Sequence, residues 1–208
     1  MFSVAFCRAS CYGNHSTRRH PLQKEPRIAP AEPPYPPAIA ARLDTIMPPG
    51  VPPLSLFRIL ARDERLFSRF MGGGLLDKGH LTLRQREIVI DRTTARNGAE
   101  YEWGVHASFF ATRAGFDQAQ LQATVHGSAE SACWSEEDAL LIAFADSLHD
   151  TSSVDDALWE KLQARFTPEA ILELVLLAGF YRTVSYLVNS LSLPLEPYAQ
   201  RFPSAVES

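Results

Sequence analysis

Residues 81–115, LTLRQREIVIDRTTARNGAEYEWGVHASFFATRAG, contain two predicted helices that are joined by an Asn-Gly pair. Thr82 followed three residues later by Gln85 has the form of a capping box, which predicts that a helix begins there. The Asn-Gly pair is a common C-terminal stop, so this helix should cover Leu83–Arg96. A second helix is predicted over 99–114, before a glycine that ends it. This stretch therefore predicts two neighbouring helices with a short turn between them.

Similar signals recur along the rest of the chain. Apolar residues at three- and four-residue spacing, with Ser, Thr or Asp as N-caps, predict further helices over 54–71, 118–126, 139–148, 154–166 and 169–191. Alternating apolar and polar segments separated by glycine turns are absent, so no strand is predicted. The sequence therefore predicts an all-α helical bundle.

The N-terminal region has a different composition. Eleven of the fifteen prolines fall within the first 53 residues, and such runs continue neither a helix nor a central strand. We therefore expect residues 1–53 to be a largely disordered arm, 54–203 to be the helical domain and 204–208 to be a short tail. The first two dozen residues hold three arginines, several serines and no acid before Glu25, a composition that resembles a transit peptide.

Charge and cysteine content restrict the partners and the compartment. The net charge of −4 and the pI near 5.9 argue against nucleic-acid binding, which needs an excess of basic residues. No run approaches the roughly 20 uninterrupted apolar residues of a membrane span. Cys7, Cys11 and Cys133 do not form a disulfide framework, which favours a reducing compartment. We expect a cytoplasmic protein, or an organellar one if the arm is a transit peptide.

Glu102 and His106 are the first candidates for chemistry. At 100° per residue, Ala99, Glu102 and His106 fall within about 60° of one another and share one helical face. A carboxylate four residues before an imidazole can orient it and favour its protonated form, so the pair could move protons near neutral pH. The alternative is a structural ion pair, which helices use widely.

Metal binding has little support in the sequence. Neither His-Glu-x-x-His nor paired Glu-x-x-His motifs occur, and the remaining histidines lack partners at ligand spacing. We therefore predict no metal and no cofactor, and a small molecule as the binding partner.

The stretch 81–115 resembles the core motif of the carboxymuconolactone decarboxylase family, in which a helix ends in Arg-x3-Asn-Gly and is followed by Cys/Ala-Glu-Tyr-Glu-Trp and a later His. The resemblance continues through SEEDALLIAFADSL at 135–148 and AILELVLLAGFYRTVSYLVNSL at 170–191, and it extends from near Leu43 to the C-terminus. It implies the helical bundle of the AhpD-like superfamily. Members of this family generally assemble as dimers, trimers or hexamers, so the resemblance also implies a homo-oligomer.

The peroxidase branch of this superfamily has a Glu, two cysteines in Cys-x-x-Cys spacing and a His. By spacing, these positions correspond to Glu87, Ala99, Glu102 and His106, so both thiols are missing. Neither alanine nor glutamate can replace a thiolate nucleophile, and Cys133 does not occupy a motif position. The resemblance therefore implies little peroxidase or other antioxidant activity here.

The decarboxylase branch also lacks the two cysteines and keeps the Glu and the His. The resemblance implies a cofactor-free lyase or related acid–base enzyme that acts on a small lactone or keto carboxylate. In this interpretation His106 donates a proton to the electron-rich intermediate, Glu102 orients His106, and Glu87 is a second carboxylate from the preceding helix. An alternative is a non-catalytic oligomer that binds a small molecule in the retained pocket.

Four further residues are candidates for substrate binding. Arg92 and Arg96 could pair with a substrate carboxylate, although a solvated helix end or an ion pair is an equally reasonable role. Trp103 flanks the Glu102 face, and Tyr181 lies near the middle of the last long helix. For both aromatic residues, packing in the core is the alternative.

Overall fold

The computed structural model describes residues 25–48 and 50–205, and these residues form ten helices and no strand. The helices are α1 (Pro37–Ile46), α2 (Ser55–Leu60), α3 (Glu64–Met71), α4 (Leu83–Arg96), α5 (Glu100–Phe109), α6 (Ala111–Ala114), α7 (Gln118–His126), α8 (Glu136–Thr151), α9 (Asp156–Arg165) and α10 (Pro168–Ser190). The predicted all-α fold is confirmed.

Helix α4 is the central element of the bundle. It packs against α8, α10, α5 and α7. Ile88, Val89 and Ile90 have no exposed surface, so three successive faces of the helix are covered. A helix that is buried on all sides must also bury its polar residues, and these need partners. Arg92 finds one in Asp146 of α8.

The capping signals fix several helix starts. Thr82 accepts a hydrogen bond from the Gln85 backbone N–H, and the Gln85 side chain accepts one from the Thr82 backbone, so the predicted capping box is present. Thr167 caps α10 with Pro168 at the first helical position. A cap of this kind contributes about 1 kcal/mol, and it depends only on residues close in sequence.

Several helices begin or end differently from the prediction, and three of the differences have a clear local cause. The helix predicted over 54–71 is divided, because the Asp63 side chain caps a new helix, α3. The helix after the Asn-Gly turn is broken at Phe110, whose φ of −120° is not helical. Helix α9 begins at Asp156, two residues after the start that we predicted, with Asp155 as its N-cap.

The prediction that residues 1–53 form a largely disordered arm is wrong for the part that the structure describes. Helix α1 lies in this region, and its Ile39 and Leu43 are buried against Ala61 and Phe67. The prolines surround this helix or occupy its first position, where proline is tolerated, so they do not interrupt it. The described fold therefore begins well before the predicted boundary. The transit-like residues, with Cys7 and Cys11, lie outside the described residues.

Within the described chain, α10 is the one helix long and apolar enough to cross a membrane, judged by length and composition alone. Core helices meet the same criterion. Leu174, Leu177 and Val184 of α10 are fully buried in the bundle, where they pack in the main apolar core.

Candidate active site

The His106 imidazole lies between two carboxylates from different helices. Its Nδ1 is 2.7 Å from Oε2 of Glu87 on α4, and its Nε2 is 3.5 Å from Oε1 of Glu102 on α5. All three side chains are buried. The turn between the helices contains Gly98 in the left-handed conformation (φ 63°), which glycine adopts without strain. The structure therefore brings the three predicted catalytic residues together.

The lengths of the two contacts to His106 refine the prediction from sequence. Spacing on one helix suggested Glu102 as the main partner of His106, but the shorter contact is made by Glu87. Because Glu87 holds Nδ1, Nε2 is the ring nitrogen that faces Glu102. One end of the imidazole is thus fixed by the core of the bundle.

The two carboxylates also set the charge of the imidazole. Burial alone would lower the pKa of His106, but the negative charge of Glu87 and hydrogen bonding with Glu102 and Glu87 outweigh it and raise the pKa to about 10. His106 is therefore an imidazolium at neutral pH.

Asp91 is a third acidic residue at this site, and the sequence analysis did not single it out. It is fully buried, and neither of its carboxyl oxygens has a hydrogen-bond partner among the described residues. Burial and the nearby charge of Glu87 raise its pKa well above the ordinary value. Its position four residues after Glu87 on the same helical face was the available signal.

Two aromatic rings hold the imidazole in place. The ring centroid of Tyr181 is 5.0 Å from that of His106 in an edge-to-face arrangement, and Phe110 lies 5.2 Å away on another side. Tyr181 is itself buried, and burial raises the pKa of its hydroxyl. The prediction that Tyr181 approaches the site agrees with this placement.

A cavity of about 870 Å³ opens beside His106. Glu102, His106 and Tyr181 contribute to its wall, whereas Glu87 and Asp91 lie behind that wall. The remaining lining is largely apolar and comes from α1, α2, α3, α5 and α10 and from the loop after α3. Small-molecule sites commonly combine a concave apolar wall with a few polar groups in this way.

Three of the predicted substrate-binding residues do not line the cavity. Arg92 forms a two-point ion pair with Asp146, and Arg96 contacts Asp146 and Asp150. Both arginines therefore link α4 to α8, and their assignment to a substrate carboxylate is corrected. The partners lie 54 residues away, beyond the reach of local sequence patterns.

Trp103 belongs to a separate apolar cluster. It is almost fully buried, its indole N–H donates to Thr124, and its ring packs edge-on against Phe202. Its assignment as a substrate-binding residue is also corrected, in favour of the packing alternative.

The two positions that hold cysteines in the peroxidase branch lie at the start of α5 in this chain. Ala99 is the buried N-cap of α5, and Glu102 faces the cavity. Cys133 is half-buried in the loop before α8 and does not contribute to the cavity wall. Within 25–48 and 50–205, no group of three or more His, Cys, Asp or Glu side chains is arranged to hold a metal ion.

Part of the chain matches a known protein family. Residues 64–146 match the carboxymuconolactone decarboxylase family, and they contain Glu87, Glu102 and His106. No curated protein sequence matches the chain significantly.

Solved structures share the fold. An uncharacterized peroxidase-related protein from Silicibacter sp. TM1040 superimposes with a TM-score of 0.75 at 17% identity, covering 88% of this chain and 99% of its own. A second one, from Ralstonia eutropha JMP134, is described as an alkylhydroperoxidase AhpD core. It gives a TM-score of 0.69 at 20% identity and covers 78% and 87% of the two chains. The matched residues and the shared fold make this chain similar to the carboxymuconolactone decarboxylase family and to these two peroxidase-related proteins.

Proposed function

We propose that this protein is a cofactor-free acid–base enzyme that transfers a proton at a carbon atom of a lactone or keto carboxylate. The observation that carries the proposal is the buried His106, which is held between Glu87 and Glu102 at the wall of a cavity. A rigidly placed acid beside a ligand-sized space is what proton transfer to carbon needs.

Each residue of the trio has a distinct role in this proposal. Glu87 accepts a hydrogen bond from Nδ1 and holds the imidazolium in one orientation. His106 then presents its Nε2 proton toward the cavity. Glu102 is both a neighbour of Nε2 and part of the cavity wall, and its Oε2 has no hydrogen-bond partner among the described residues. In this proposal the Glu102 carboxylate is the group that accepts a proton from the substrate.

A decarboxylation illustrates the proton balance. The bond between the carbon skeleton and the carboxylate breaks, carbon dioxide leaves, and the electron pair stays on the skeleton as an enolate. The positive charge of His106 stabilises that enolate, and its Nε2 proton moves to carbon. Water returns the proton to the imidazole by way of Glu102. A proton shift without loss of carbon dioxide uses the same groups, with Glu102 as the base.

The thiol peroxidase alternative has no support from the cavity. Such chemistry needs a thiolate at the substrate, and no cysteine of the described chain reaches the cavity wall. The remaining alternative is a protein that binds a small molecule without converting it.

Proton exchange tests the proposal directly. A panel of lactones and keto carboxylates is incubated with the protein in D₂O, and deuterium incorporation at carbon and release of carbon dioxide are followed by NMR. We expect turnover of at least one compound, and a loss of 100-fold or more, roughly, in His106→Gln and Glu102→Gln. Glu100→Gln, a carboxylate change on the same helix but outside the cavity, is the control. If compounds bind but none exchanges, the protein is a binding protein.

A further inference from the structure

The cavity is large for the ligand that the family name suggests. Its volume of about 870 Å³ is near the upper end of the roughly 300–1,000 Å³ of sites that enclose drug-sized ligands. A small lactone would leave most of this space unfilled and most of the apolar wall in contact with water. The volume therefore favours a ligand with a bulky body.

Aromatic rings dominate the wall. Phe57, Phe70 and Phe180 form a continuous series, with ring centroids 6.5 Å and then 5.0 Å apart. Phe109 and Phe110 of α5 and its C-terminal end contribute further apolar surface. Such walls bind aliphatic or aromatic bodies through burial and stacking.

Charged side chains line the cavity at its exposed side. Arg42 of α1 and Arg113 of α6 are both exposed, and neither forms an ion pair with an acidic residue of the described chain. Arg113 lies 5.7 Å above the Phe110 ring. Asp77 is the third charged residue there, so the opening carries an excess of positive charge.

The inner end of the cavity has the opposite charge. Glu87 and Glu102 flank a single imidazolium, which leaves a net negative charge around the buried His106. An anionic group placed there would be repelled and desolvated. An anionic ligand therefore has one favourable orientation, with its charge at the opening.

Helix α1 supplies one side of this opening. It lies before residues 64–146, which match the family, and it carries Arg42 while Ile39 and Leu43 anchor it to α2 and α3. The cationic character of the opening thus depends partly on a segment of this chain outside the matched region.

We propose that the cavity binds a bulky, largely apolar organic anion, with its anionic group at Arg42 and Arg113 and its uncharged end at Glu102 and His106. The identity of the reacting end rests on the proposed function. With its carboxylate held at the opening, the substrate retains that group, so this inference selects the proton shift at an inner carbonyl over the decarboxylation described above.

Calorimetric titration of the full chain tests the binding mode with three probes. They are 2-naphthylacetate, the uncharged 2-naphthylethanol and acetate. We expect 2-naphthylacetate to bind at least about tenfold more tightly than either of the others, because only it has both the apolar body and the charge.

Single substitutions separate the charge from the apolar contacts. Arg42→Gln and Arg113→Gln should each weaken binding of 2-naphthylacetate roughly three- to tenfold and leave 2-naphthylethanol unchanged. Asp77→Asn should tighten binding of the anion. Arg65→Gln, an exposed arginine on α3 that does not line the cavity, is the matched control.

The results distinguish this inference from the proposed function. Equal affinity for the acid and the alcohol, or arginine variants that bind the acid as wild type does, would overturn the proposed orientation. Charge-dependent binding that persists in His106→Gln supports the orientation. That binding, combined with no proton exchange in the wild type, would reject the enzyme proposal while leaving the binding site intact.

Discussion

At the scale of single residues, His106 couples the charge of the site to the stability of the fold. Its imidazolium is paired with Glu87 at 2.7 Å in an environment without exposed surface. The pKa of the imidazole is about 10, compared with an ordinary value of 6.5. Folding therefore favours proton binding by this group throughout the interval between the two values.

We predict a pH dependence of stability from this coupling. The contribution of the His106 pair is fully present below about pH 6.5 and is lost as the pH rises through about 10. The free energy of unfolding, measured by urea denaturation at several pH values, should fall across this interval by an amount on the order of a few kcal/mol. In His106→Gln the decrease should be much smaller. Equal slopes for the two proteins would contradict the assigned charge.

The buried carboxyl of Asp91 gives a second prediction, which concerns how the stability of the fold changes as the pH rises. Its pKa is raised by burial and by Glu87, so the folded protein holds a proton that the unfolded chain releases near pH 4. The wild type therefore loses stability as the pH rises above that value. Asp91→Asn keeps the shape and has no such proton, so it should be more stable than the wild type at pH 8, by roughly 1 kcal/mol or more.

The difference in stability between the wild type and Asp91→Asn should disappear at low pH. Below roughly pH 3 the wild-type carboxyl is neutral in both states, and the stabilities of the two proteins should converge. Greater stability of the wild type at pH 8 would show that Asp91 is ionised in the fold.

At the scale of elements, α5 is held by the C-terminal segment that follows α10. The Gln200 backbone N–H lies 3.2 Å from the Gly104 carbonyl and 3.0 Å from the Ser108 hydroxyl, with both oxygens as acceptors. The Gly104 position has no room for a side chain, because an added Cβ would collide with the Gln200 carbonyl oxygen. Close backbone approach explains this glycine.

Gly104→Ala should therefore displace the C-terminal segment from α5. We expect a decrease in the thermal unfolding midpoint, corresponding to about 1–3 kcal/mol, and faster proteolysis after residue 195. Gly179→Ala is the matched control, because its added Cβ has no neighbour within 4 Å and alanine favours the helix. A stable Gly104→Ala protein with an unchanged C-terminal digestion rate would contradict the close-approach argument.

At the scale of the whole molecule, α10 leaves an apolar surface uncovered. Leu172 and Leu176 are 65% and 63% exposed, Val175 is 41% exposed, and Tyr186 continues the row two turns further along. Exposed apolar patches of this kind are typical of interaction surfaces. Gly179 lies in the same row, and no atom of the described residues lies within 4 Å of a Cβ added there, so close helix approach among these residues does not explain this glycine.

The homo-oligomer stays a prediction, and this surface is where we expect it to form. The double variant Leu172→Glu, Leu176→Glu should shift the mass measured by light scattering toward the monomer, because paired charges cannot be buried in an apolar interface. Leu66→Glu, on the exposed side of α3, is the control. A monomeric wild type at working concentrations would reject the prediction.

Several features of the fold and the site could be predicted because they depend on residues close in sequence. The start of α4 at the Thr82 cap, the turn after it and the Glu102–His106 pair are local features, set by capping bonds and helical spacing. Glu87 was assigned from the family resemblance, and the structure places it on α4 in contact with His106. The helix boundary at Asp63 could also have been predicted from the sequence, since aspartate is a good N-cap.

The sequence by itself determined the helical class of the fold and the Glu102–His106 pair, because both follow from short-range periodicity, and the family resemblance added Glu87. Only the tertiary structure decided which polar groups are isolated and which are paired. It paired Arg92 with Asp146 across the bundle, left Asp91 without a hydrogen-bond partner among residues 25–48 and 50–205, and enclosed the cavity partly with a helix from the proline-rich region. These outcomes depend on which segments that are distant in sequence come into contact. Burial of apolar side chains along the whole chain decides those contacts.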